Sequence, residues 1–145
     1  MKNVRLMDFR YIQDPDDAEF YGGLVPIEGA RDIPFEIKRI YTISGMQPGA
    51  RRGYHSHRDL EQVLIALGGS IKILVKTPFE EEVITLDSPA KGLYIGPMIW
   101  REMFDFSPNS TLMVLAIVLM ELRSGCCSKT TSPRTATKHW IRWWA

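Results

Sequence analysis

Cysteine is nearly absent from this chain of 145 residues: Cys126 and Cys127 are the whole supply, and they are adjacent. Neighbouring cysteines cannot frame a disulfide-stapled fold or provide the spaced ligand pairs of a structural zinc site. An excess of charge of one sign is missing too. The chain has 18 basic and 17 acidic residues, for a net charge of +1, so the charge balance selects neither nucleic acid nor a membrane surface as partner. Long apolar runs are also lacking. The stretch from Val63 to Leu67 is far too short to cross a bilayer. No apolar run follows a basic start at the N-terminus, so no signal peptide is expected and a cytoplasmic location is the simplest reading. The 45% of hydrophobic residues, at this length, suits one compact domain with a real core.

Helical periodicity is scarce as well, and short strand patterns take its place. Phe35 to Ser44 alternates, with Arg39, Tyr41 and Ile43 on one side. Gln62 to Leu67, Gly68-Gly69 and Ser70 to Lys76 together predict a hairpin with a tight glycine turn. Further strands are expected over Glu82 to Leu86, Gly92 to Ile95, Trp100 to Phe106 and Thr111 to Leu119. Asp87-Ser88-Pro89, Gly96-Pro97 and Ser107-Pro108-Asn109-Ser110 punctuate them. Short strands at this spacing predict an all-β sandwich or barrel. Residues 1–120 are read as that single domain and 121–145 as an atypical tail, rich in Ser, Thr, Lys and Arg and then in tryptophan (Trp140, Trp143, Trp144). The first part of the tail reads as flexible; for the tryptophans, docking and poor order are both open.

Only three histidines occur, and two of them form His55-Ser56-His57. On a strand, alternate side chains share a face, so both imidazoles would point the same way. Such a pair can hold a metal or move protons. The run Gly49, His55-x-His57, Glu61 and Gly68 resembles the first cupin motif. Two imidazoles and a nearby carboxylate are ligands that a divalent metal accepts. The second cupin motif brings a further histidine from a later strand. The comparable stretch, Gly92 to Arg101, has Arg101 there instead, and arginine cannot ligate. The metal set is therefore incomplete, and acid–base chemistry by the histidines is favoured. Arg39, Tyr41, Arg51 and Arg52 are groups suited to an oxyanion or a phosphate.

Three runs carry a narrower resemblance: Ile37-Lys38-Arg39-Ile40-Tyr41, Arg52-Gly53-Tyr54-His55-Ser56-His57 and Leu60-Glu61-Gln62-Val63-Leu64. With Ile84 to Pro89, Gly92 to Pro97, Trp100 to Met103 and Asp105-Phe106, they look like the FdtA- and QdtA-like, WxcM-like nucleotide-sugar 3,4-ketoisomerases. The match spans about Phe35 to Ala116 and is weaker over Gly22 to Pro34. It implies an RmlC-like jelly-roll cupin barrel, no metal and no cofactor, and a homodimer with exchanged N-terminal strands. The implied activity is conversion of dTDP-4-keto-6-deoxy-D-glucose to a 3-keto isomer for deoxy-aminosugar synthesis, as in O-antigen, S-layer and other polysaccharides.

The resemblance implies His57 as base at C3, His55 as partner or relay, and Tyr41 as a catalytic group. Arg39, Arg52, Arg101 and Trp100 are implied as substrate-binding residues. Two departures stand out. Arg101 occupies the place where many members carry histidine, and the likeness stops at about Ile117. A metal cupin using His55, His57 and Glu61 is the competing enzyme, and a sugar-nucleotide binding module without turnover is the competing non-enzyme.

Overall fold

The computed structural model describes residues 1–13, 15–16 and 22–118. The predicted tail, with its three tryptophans, lies outside the described residues. Among the described residues every regular element is a strand. In chain order these are β1 (Val4–Asp8), β2 (Ile12–Gln13), β3 (Gly23–Leu24), β4 (Arg39–Ser44), β5 (Arg52–His55) and β6 (Gln62–Gly68). Next come β7 (Ile71–Lys76), β8 (Glu81–Leu86), β9 (Lys91–Ile95), β10 (Trp100–Phe104) and β11 (Thr111–Ala116). A five-stranded sheet runs β1-β9-β6-β11-β4 and a four-stranded sheet runs β5-β10-β7-β8, while β2 and β3 form a small ribbon. Every pairing is antiparallel. Two sheets facing each other with this strand order make a jelly roll, the expected all-β architecture.

Alternation builds the core. On β7, Ile71, Ile73 and Val75 are buried while Lys72, Leu74 and Lys76 are half-buried. The inward residues meet Leu64, Leu93, Ile95, Leu112 and Val114 from the facing sheet. Each such side chain, fully buried, contributes about 1.5–3 kcal/mol.

Strand β6 departs from alternation because both of its faces are covered: Gln62 to Ala66 are all buried. Gln62, Leu64 and Ala66 look inward, while Val63 and Ile65 pack outward against Phe9, Ile33, Phe35 and Leu115. Phe35 to Lys38 therefore do not extend β4, as the alternating pattern suggests. Phe35 instead belongs to a segment that seals the outer face of the five-stranded sheet.

The expected hairpin at Gly68-Gly69 is not one. β6 belongs to the five-stranded sheet and β7 to the four-stranded sheet, so the chain turns a corner between layers. Gly69 has φ of +69°, and a Cβ there would lie 2.4 Å from Ser107 Oγ. The same Ser107 Oγ accepts the Ser70 N–H at 2.8 Å. Close approach of the Ser107–Ser110 turn, rather than a two-residue hairpin, is what requires glycine.

Candidate active site

The histidines arrive at one end of the interior through a bulge. β5 pairs with β10 as Arg52↔Met103, Gly53↔Glu102 and then His55↔Arg101, leaving Tyr54 as an extra residue. Gly53 (φ +100°) and Tyr54 (φ +59°) absorb the insertion. A Cβ on Gly53 would stand 2.6 Å from the Arg101 carbonyl oxygen, so the position takes glycine only. In a regular strand Arg52 and His55, three apart, would face opposite ways; the bulge puts both in register with the inward residues Arg101 and Met103.

His57 lies just beyond β5, and strand alternation is therefore not what aligns the imidazoles. The His57 carbonyl accepts the Met98 N–H at 2.7 Å, which pins the chain to the turn before β10. The two rings meet edge to face with centroids 4.7 Å apart. His55 Nδ1 is 2.8 Å from the Gly53 carbonyl oxygen. A carbonyl only accepts, so Nδ1 carries the hydrogen and Nε2 of the neutral ring is the base.

The facing sheet supplies Arg39, Tyr41 and Gln62, and β10, beside β5, supplies Arg101. Arg39 and Tyr41 precede Ile43 on the inward side of β4, and Gln62 precedes Leu64 on that of β6. The Arg39 guanidinium stacks 5.0 Å from the Tyr41 ring centroid. Gln62 Nε2 donates to the Tyr41 hydroxyl at 3.0 Å. Arg101, only 1% exposed, donates from Nη1 to Gln62 Oε1 and from Nη2 to the Ile99 carbonyl at 3.5 Å. Arg39 Nε and Arg101 Nε are buried with no hydrogen-bond partner among the described residues. A buried unpaired donor is costly, and a ligand acceptor would satisfy it.

This company decides the charge state of the histidines. Burial, then the charges of Arg101, His55 and Arg39, holds His57 down at about 4. His55 is also lowered, chiefly by burial and against the help of its Gly53 hydrogen bond. Both imidazoles are neutral at pH 7 and free to accept a proton. Burial pushes Arg101 down to about 10, and it keeps its charge at neutral pH.

The structure thus brings together His55, His57, Arg39, Tyr41 and Arg101 and adds Gln62. Arg52 shares the inward register but its side chain is exposed. Trp100 lies apart, on the opposite face of β10 from Arg101, where its indole N–H donates to Glu102 Oε1 at 2.9 Å. Arg51 belongs to that outer face too, paired with Glu102 at 3.2 Å.

Glu61, the carboxylate of the cupin motif, turns away as well. It accepts the Tyr94 hydroxyl at 2.6 Å, and Tyr94 packs on the outer cluster of the five-stranded sheet. Burial and that carboxylate push the Tyr94 hydroxyl up to about 12, so it stays a donor. No group of three or more His, Cys, Asp or Glu side chains is arranged to hold a metal ion among the described residues. Gln62 was missed in the sequence. The available signal was one polar side chain in step with Leu64 and Ala66 on an otherwise apolar strand.

Fold and cluster define a class: a cupin-type jelly roll with paired imidazoles, a buried Arg101 and a half-buried Arg39 at one end. The family described as FdtA: WxcM-like, C-terminal matches residues 2–121. A TDP-4-oxo-6-deoxy-alpha-D-glucose-3,4-oxoisomerase from Aneurinibacillus thermoaerophilus is 50% identical over 95 residues, covering 66% of this chain and 68% of the relative. A mutant of the 3,4-ketoisomerase QdtA from Thermoanaerobacterium thermosaccharolyticum, solved with TDP-4-keto-6-deoxyglucose, is 50% identical with a TM-score of 0.78; 84% of this chain and 85% of that one align. The WlaRB TDP-quinovose 3,4-ketoisomerase from Campylobacter jejuni is 40% identical with a TM-score of 0.76, over 86% and 92% of the two chains. The chain belongs to the FdtA family of WxcM-like sugar 3,4-ketoisomerases.

Proposed function

We propose that this protein is a sugar-nucleotide 3,4-ketoisomerase acting on dTDP-4-keto-6-deoxy-D-glucose. The observation that carries the reading is a neutral His57 held beside the buried guanidinium of Arg101 and the half-buried Arg39, each with a buried Nε that has no partner among the described residues. The C4 ketone acidifies the proton on C3. His57 accepts that proton, the C3–H electron pair becomes the C3=C4 bond, and the C4 carbonyl oxygen becomes an oxyanion. A proton then goes to C4, the O3 hydroxyl loses its own, and the carbonyl reforms at C3. Atoms and electrons balance, and no external oxidant is needed.

Each group has a role suited to its placement. Arg39 and Arg101 offset the charge of the enediolate, a stabilisation that is strongest in a site sheltered from water. Tyr41 contacts a sugar oxygen or hands over a proton, and His55 positions the sugar or relays a proton. Arg52, inward in register and exposed, is assigned to the diphosphate in this reading. The low pKa of His57 has a consequence: burial is its largest cause, but the charges of Arg101 and Arg39 add to it, and an anionic substrate neutralises those charges. Substrate charge therefore raises His57 toward neutrality, where a general base works best.

The protein is further proposed to work in the cytoplasm as a homodimer with exchanged N-terminal strands. β1 is an edge strand, paired on one side only, to β9 of its own chain, so the same pairing can be offered to a second copy. No helix is long and apolar enough to cross a membrane among the described residues.

Incubation with dTDP-4-keto-6-deoxyglucose in deuterated water, followed by NMR, tests the reading. The expected product carries deuterium at C4 and a carbonyl at C3, and the same spectrum reads the C4 configuration. Tight binding with neither exchange nor isomerisation would leave a binding module instead.

A further inference from the structure

Tyr41 and Arg101 sit on different sheets and share no hydrogen bond among those of the described residues. Gln62 joins them. Its amide is buried, 4% exposed, and it has two partners of unlike character. Arginine can only donate, so the amide atom facing Arg101 is the oxygen. The amide nitrogen then faces Tyr41, and an amide nitrogen can only donate. The orientation of Gln62 therefore follows from chemistry, with no ambiguity between its two ends.

The consequence falls on Tyr41. Its oxygen accepts from Gln62 Nε2, so its own hydrogen must point elsewhere. The Arg39 guanidinium lies over the face of the Tyr41 ring and, being only a donor, cannot take that hydrogen. We propose that Gln62 is a positioning residue that sets the polarity of the site, fixing Tyr41 as a hydrogen-bond donor to the substrate and seating Arg101 against the inward face of the barrel. The inference rests on the isomerase reading for its substrate, but its geometry stands on Gln62, Tyr41 and Arg101 alone.

A carboxylate at this position would reverse the polarity. It accepts from Arg101 as the amide does, but it also accepts from Tyr41, so the tyrosine hydrogen turns inward and is lost to the substrate. It also places a negative charge in the cluster that faces His57, whose charged or titratable neighbours are Arg101, His55 and Arg39. The side chain is nearly isosteric, so packing around Leu64 and Ile95 is preserved.

The test is a cycle of Tyr41→Phe, Gln62→Glu and the double variant in the isomerisation assay, with His57 followed by NMR titration in each. Gln62→Glu is expected to lower kcat by about as much as Tyr41→Phe, roughly 10²-fold, which is the usual loss for one oxyanion donor. The double variant is expected to lose no more than either single one. The His57 titration is expected to move up from about 4 in Gln62→Glu and to stay in place in Tyr41→Phe. Independent, multiplying losses with an unmoved His57 would overturn the proposal. If Gln62→Glu does not fold, Gln62→Met replaces it. That side chain frees the tyrosine hydroxyl to rotate, and kcat is expected to fall about tenfold while Tyr41→Phe on top adds less than it does alone; an unchanged kcat would overturn the proposal. A wild-type protein that binds the sugar nucleotide without turnover sinks the isomerase reading instead, and the His57 titration still judges Gln62.

Discussion

Along β4, β6 and β10 the inward side chains change character within two residues: Tyr41 gives way to Ile43, Gln62 to Leu64, and Arg101 to Met103. One end of the interior is a polar cluster with cations and neutral imidazoles. The remainder is dry, with Ile73, Val75, Leu93 and Ile95 fully buried. The apolar end provides the stability that allows the polar end to hold groups out of water. Burial there is a cost to folding, and the same burial keeps His57 a base and makes Arg39 and Arg101 strong partners for negative charge.

The sharpest break in this division comes from His57→Ala. Activity is expected to fall roughly 10²–10⁴-fold, the usual contribution of a positioned general base, with the fold intact by circular dichroism. Undiminished turnover in a folded variant would move the base elsewhere. In the dry end, Leu64→Ala, only two residues from Gln62, is expected to behave in the opposite way. It destabilises by about 2–5 kcal/mol through lost burial and the cavity left behind. Its turnover per folded molecule stays within a few-fold of wild type, and a loss comparable to that of His57→Ala would blur the boundary between the two ends.

Two smaller effects sharpen it. His55 and His57 both titrate below the ordinary histidine value of 6.5 in the folded protein. The unfolded chain therefore binds protons first as pH falls, and stability is lost from about 6.5 downward until His57 itself protonates near 4. Thermal melts across that range are expected to show a shallower pH slope in His57→Gln; parallel slopes would mean that His57 is not held neutral. Glu61→Ala removes only the bond to Tyr94. It is expected to cost about 1 kcal/mol and to leave isomerisation unchanged. A collapse of activity in this variant, restored by added divalent metal, would revive the metal cupin.

Much of the site was legible because its members are close in sequence or obey simple alternation. His55 and His57 are two apart, and Arg39 and Tyr41 share a strand face. The all-β layout followed from strand-length patterns between turn residues. The rest depended on pairing that no local pattern carries. The Tyr54 bulge, which turns Arg52 and His55 the same way, exists only against β10. The Gly68-Gly69 corner looks like a hairpin turn until the strands are assigned to different sheets. Trp100 and Arg101 are neighbours in sequence, yet the strand sends them to opposite faces. Glu61 matches the cupin spacing, but Tyr94 on β9 claims its carboxylate. Gln62 gains meaning only from Tyr41 and Arg101, which are 21 and 39 residues away in the chain.

The central claim is that the polar end holds His57 as a neutral base, ready to be raised by substrate charge. An NMR titration of the His57 ring, in the free protein and with thymidine diphosphate bound, tests it directly. The free ring is expected to titrate at about 4 and to move upward when the anion binds. A ring that titrates at the ordinary 6.5 and ignores the anion would contradict it.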